Sequence, residues 1–201
     1  MAWLEANRGT AIDDRAALAA FMDEEAEAFV RGLVDDYTRA RVQHYPDELF
    51  AQPAFAAMLA TARAEAYPIA LTMIGEAIEG ALAPQAEDRA AQRHGLMWVV
   101  LKAFDRRQRP DAVAAPAWDA ARTELLRWIG AGMPRLPKTT DAIADSFAAQ
   151  LLALMPVHDR LGRDDYALLR GAMHAALAAI TERFAMSANV QSLASALVAA
   201  S

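Results

Sequence analysis

The chain has 201 residues, 55% apolar and 23% charged, which is enough to bury a core within one domain and too apolar for a disordered polymer. Twenty Lys and Arg against 26 Asp and Glu give a net charge of −6, which disfavours non-specific nucleic-acid binding. The absence of cysteine excludes disulfides, zinc–thiolate centres, iron–sulfur clusters and cysteine nucleophiles.

Alanine supplies 50 residues and aromatics only 7%, a bias towards a helix-forming side chain and away from strand formers. An all-α chain is expected. Two lysines against eighteen arginines, with so much alanine, read as GC-rich bacterial coding and carry no functional weight. No segment reaches the roughly 18 uncharged apolar residues of a spanning helix, and the first residues lack a signal-peptide pattern. A cytoplasmic protein without membrane contact is the resulting expectation.

Asp13 or Asp14 can cap a helix from Arg15 to about His44, with Leu18, Met22, Ala26, Phe29, Leu33, Tyr37 and Ala40 inward. Asp23, Glu24, Glu27, Arg31, Asp35 and Arg39 then form its solvated face. Tyr45-Pro46 ends it, and a short turn through Phe50 leads to Pro53, suited to the first turn of a helix to Tyr67. Pro68 predicts a kink or a break before the stretch Ile69–Ala83. That stretch is apolar on two sides, through Leu71, Ile74, Ile78 and Leu82 on one and Ile69, Met73, Ala77 and Gly80 on the other, and is therefore expected at the centre of a bundle.

The next helix, about 86–108, carries the stripe Ala90, His94, Met97, Leu101 and Phe104. It ends in the basic cluster Lys102, Arg106, Arg107 and Arg109, read as cations favouring the helix C-terminus. Residues 109–116, with proline near both ends, form the clearest linker and the place where two subdomains would divide. Beyond it are predicted a helix 117–129 with Trp118, Leu125 and Trp128, ending at Gly130-Ala131-Gly132-Met133-Pro134; a helix capped by Thr139 or Thr140 through Leu154; and a long helix capped by Asp164. The last has Tyr166, Leu169, Met173, Ala176, Leu177, Ile180 and Phe184 inward. Asn189 caps a terminal helix with an apolar face of Val190, Leu193 and Leu197. The architecture expected is a single-domain, mostly antiparallel bundle of seven or eight helices.

Motifs for catalysis are missing. The positions three before each histidine hold Arg41, Ala91, Met155 and Gly171, so Glu-x-x-His di-iron chemistry is excluded, and no two histidines stand at HExxH spacing. No serine lies in Gly-x-Ser-x-Gly, and no glycine-rich phosphate loop is present. His94 on its apolar stripe, beside Met97, Trp98 and Phe104, is a candidate ligand anchor or haem ligand, set against a core histidine bonded to a neighbouring helix. His174 lies at the margin of its stripe, and His44 and His158 at a helix end and in a loop. Glu76 is a candidate buried acid/base, set against an ordinary surface carboxylate. Tyr37, Arg41, His44, Tyr45 and Glu48 gather at the end of the first long helix, as an anion or partner site or as its cap.

Three functional expectations follow. The first is a protein-interaction or regulatory module, self-associating as a homodimer or binding a protein partner, because the terminal helix needs a surface to cover. The second is a haem or apolar small-molecule binder with a pocket near His94. The third is an enzyme using Glu76.

Overall fold

The computed structural model describes residues 11–42, 46–111, 113–132, 138–156 and 163–199. Within them lie eight α-helices: α1 (Arg15–Arg41), α2 (Pro46–Phe50), α3 (Pro53–Leu82), α4 (Arg89–Arg106), α5 (Ala115–Gly132), α6 (Thr140–Ala153), α7 (Arg163–Ser187) and α8 (Val190–Val198). The protein is an all-α helical bundle. The sole β-type contact among the described residues is a parallel bridge between Ile12 and Ala188. It lays the entry to α1 against the joint between α7 and α8. No helix among those residues is long and apolar enough to cross a membrane.

Several helix starts are where capping chemistry predicts them. Asp14 accepts from the Ala17 amide at 2.8 Å, Asp88 from those of Ala90 and Ala91 at 3.0 Å, Thr139 from Ala142 at 3.3 Å and Asn189 from Ser192 at 3.1 Å. Each cap satisfies amides that the helix itself leaves unbonded, typically for about 1 kcal/mol. The Asp164 side chain, the Trp128 side chain, the stop at residues 133–134, His44, Tyr45 and His158 lie outside what is described.

α3 is the axis of the bundle, in contact with α1, α4, α5, α6 and α7. Residues Ala66 to Gly75 are buried without interruption, which is why the hydrophobic pattern there wraps around the helix. Pro68 lies inside this stretch and α3 runs through it as one helix, neither broken nor divided. Neighbours on every side hold the turn whose amide bond the proline deletes. Helices on both sides of residues 109–116 pack on α3, and one hydrophobic core contains residues from each.

Two expected faces are corrected. In α1, Thr38 is buried and Ala40 exposed, so the last turn of the stripe is displaced. In α4 the buried residues are Gln92, Gly95, Leu96, Val99, Val100, Leu101, Ala103 and Phe104, and His94 is exposed. The stripe through His94 depended on Ala90, which is too small to decide a face. Leu96, Val99, Val100 and Ala103 make the more apolar competing face. The α7 face holds at Leu169, Met173, Leu177, Ile180 and Phe184, whereas Ala176 is half-buried and Tyr166 is exposed.

α8 covers its own apolar face within the chain. Leu193 and Leu197 are fully buried, and α8 packs mainly on α4. Gly95 permits that packing, because a β-carbon there would stand 2.1 Å from the Leu197 carbonyl oxygen. The terminal helix thus finds its covering surface for Val190, Leu193 and Leu197 within the chain, without a partner.

Candidate functional site

The residues singled out in the sequence do not converge. His94 accepts a hydrogen bond from the Trp98 indole at 3.0 Å on the exposed side of α4, one turn away. Its Nε2 is thus engaged at the surface and does not project into an apolar cavity as an axial haem ligand would. Met97 is half-buried at the margin of the core. Phe104 lies elsewhere, buried with its ring 4.7 Å from that of Trp118 and 5.9 Å from that of Tyr67. Both carboxylate oxygens of Glu76 accept from Lys138 Nζ, at 3.0 and 2.9 Å, which ties α3 to a residue two positions before α6. Glu76 is thus half-buried and ion-paired.

Of the polar cluster at the end of α1, the described residues are Tyr37, Arg41 and Glu48. Arg41 pairs with the buried Asp165 of α7 and lies 5.8 Å from the centre of the Tyr37 ring. Arg39 bonds Asp47 of α2 at 2.9 Å and covers the Phe50 ring at 4.4 Å. The Glu48 side chain is exposed. Among the described residues no three His, Asp or Glu gather in a way that could hold a metal ion.

What does assemble is a strip along the seam between α1 and α4, centred on Asp23. Oδ1 of Asp23 accepts from the Tyr67 hydroxyl at 2.7 Å and from Nε and Nη2 of Arg107 at 3.0 and 2.8 Å. Arg107 also bonds Glu27 at 2.8 Å and lies 4.6 Å from the centre of the Tyr67 ring. Burial first, and the bond to Asp23 second, push the Tyr67 phenol well above the usual tyrosine range. Burial works against the Arg107 charge, but bonds to Glu27, Asp23 and Tyr67 outweigh it and hold the guanidinium above the arginine range. Both groups donate to carboxylates of α1.

The bond from Arg107, opposed by burial, holds the Glu27 carboxyl below its ordinary value of 4.5, with Arg31 helping. A carboxyl lowered on folding stabilises the protein above pH 4.5, and that contribution disappears as the pH falls through the lowered value. Urea unfolding followed through the acid limb should therefore show stability falling below about pH 4.5, with a shallower fall in Glu27→Gln. An equal fall in both proteins would contradict the assignment.

Two concavities flank this hub. On one side Val30, Arg63, Tyr67, Arg107, Pro110 and Trp118 help to enclose about 220 Å³. The arginines there are matched by carboxylates: Arg63 by Asp35, Arg31 by Glu27, and Arg107 by Asp23 and Glu27. On the other side lies a groove of about 580 Å³ between α1 and α4, lined by Arg15, Ala16, Ala19, Trp98, Val99, Lys102 and Arg106.

The groove has an apolar floor and a cationic rim. Among the described residues neither Arg15 nor Lys102 is in ion-pair contact with a carboxylate, and Arg106 reaches Asp23 only at 3.8 Å. Trp98 is 47% exposed, unusual for so large an apolar residue. The basic cluster read from the sequence is thereby divided. Lys102 and Arg106 face the groove, Arg107 turns to the hub, and Arg109 donates to the Val113 carbonyl. A signal for the groove was present in the spacing, since His94, Trp98, Lys102 and Arg106 recur every four residues and share one face of α4. Asp23 and Arg15 lie on another helix, and the spacing within α4 carries no cue to them.

Compared with protein-family models, curated proteins and solved structures, the chain matches none of them.

Proposed function

We propose that this protein binds a small amphipathic anion, an apolar or aromatic body bearing a carboxylate, sulfonate or phosphate, in the groove between α1 and α4. One observation carries the reading. In a chain of net charge −6, a groove of ligand size combines a floor of Ala16, Ala19 and Val99 with an exposed indole and three cations. Ligand sites typically measure about 300–1,000 Å³ and join apolar walls to a few placed polar groups. Trp98 offers a π-face to a planar body, and Lys102, in ion-pair contact with no carboxylate among the described residues though its charge acts on Asp105 one turn along α4, supplies a charge at the rim. His94 supports the site from outside by accepting the indole N–H, which fixes the ring's orientation.

Calorimetric titration with naphthalene sulfonate, compared with uncharged naphthol, tests this. The sulfonate is expected to bind with saturation and the naphthol much more weakly. Lys102→Gln should weaken the sulfonate about fivefold, a loss of roughly 1 kcal/mol. Equal binding of the two compounds, or indifference to Lys102→Gln, would contradict the reading.

A further inference from the structure

We propose that α8 belongs to the groove's binding machinery: it positions Arg15, so that docking of α8 and binding of the anion are thermodynamically linked. The inference rests on the reading of the groove given above. Arg15, the first residue of α1, lines the groove while its Nε donates to the Ala196 carbonyl at 2.8 Å and its Nη2 to that of Leu197. Those carbonyls belong to the last turn of α8, where the helix leaves acceptors unbonded and concentrates partial negative charge. A guanidinium carries five donors in a rigid plane. The edge formed by Nε and Nη2 is spent on α8, and the outer edge remains for an anion.

The position of this clamp is set by close packing. Leu197 lies directly on Gly95 of α4, where its carbonyl oxygen fills the space of a β-carbon, and Leu193 and Leu197 are buried beneath. Gly95 stands three residues before Trp98 on the same helix. With α8 docked, Arg15 is held in place over the groove, and an anion meets a charge whose side-chain entropy is already spent. With α8 lifted, Arg15 becomes a mobile surface arginine. Linkage is reciprocal, so an anion that favours the held Arg15 must favour the docked α8 by the same factor.

Amide hydrogen exchange in α8, measured with and without saturating naphthalene sulfonate, reads this directly. The sulfonate is expected to slow exchange at residues 193–197 by about threefold or more. Arg15→Lys keeps the charge but loses the planar fork. In that variant α8 should exchange faster without ligand, ligand protection should shrink, and sulfonate affinity should fall by a similar factor. If the sulfonate binds in a Lys102-dependent way while α8 exchange is unchanged or accelerated, the linkage is overturned and the groove reading stands. Unchanged α8 exchange in ligand-free Arg15→Lys overturns the clamp. Absence of binding, or binding that ignores Lys102→Gln, overturns the groove reading and this inference with it.

Discussion

Gly95→Ala is expected to destabilise the protein by about 2–4 kcal/mol in urea or thermal unfolding, against the sign of helix propensity. In an ordinary helix interior the substitution stabilises by up to about 1 kcal/mol. Here the new methyl would lie 2.1 Å from the Leu197 carbonyl oxygen, a backbone atom that cannot turn aside, so α8 must shift. Fully burying a leucine is worth about 1.5–3 kcal/mol, and both Leu193 and Leu197 lose cover when α8 moves. Gly171→Ala in α7 is the control, because a β-carbon there meets nothing within 4 Å. It should be neutral or mildly stabilising. If both variants behave alike, the packing assigned to α8 is wrong.

Asp23→Ala is expected to cost about 3 kcal/mol, whereas Glu24→Ala, one residue along the same helix, should stay within about 0.5 kcal/mol. The Asp23 side chain is only 15% exposed and receives three donors, while Glu24 is exposed. Removing Asp23 leaves the Tyr67 hydroxyl, on a residue 2% exposed, and part of the Arg107 charge without their main acceptor. Tyr67→Phe should cost less, about 1 kcal/mol, since it deletes the donor along with its need. A double-mutant cycle between Asp23 and Tyr67 should return a coupling of roughly 1 kcal/mol, and additive losses would count against the hub.

The elements that were legible in the sequence are those settled by neighbours along the chain. Asp14, Thr139 and Asn189 cap helices because each needs only an amide three residues on. The two apolar sides of α3 announce its central place for the same reason. Pro68 was harder, because whether a proline breaks a helix depends on what surrounds it, and here burial on all sides keeps α3 whole.

The site was less legible because its parts meet across the bundle. Asp23 shares the spacing of a solvated face with Glu24 and Glu27, and only the arrival of Arg107, 84 residues later, makes it a hub. His94 was drawn inward by a stripe that rested on Ala90. In α4 small residues follow the face that larger neighbours choose, and α8 takes up the side where Gly95 lacks a side chain. The run Trp98, Lys102, Arg106 could be read as one face, but nothing in that spacing shows that Arg15, Ala16 and Ala19 lie opposite.

Amide chemical-shift mapping with naphthalene sulfonate tests the binding site most directly. Saturable shifts are predicted at Arg15, Ala16, Ala19, Val99 and Lys102, at the Trp98 indole N–H, and by linkage in the last turn of α8. Shifts centred instead on Tyr67 and Trp118, or no saturable shifts anywhere, would contradict the account.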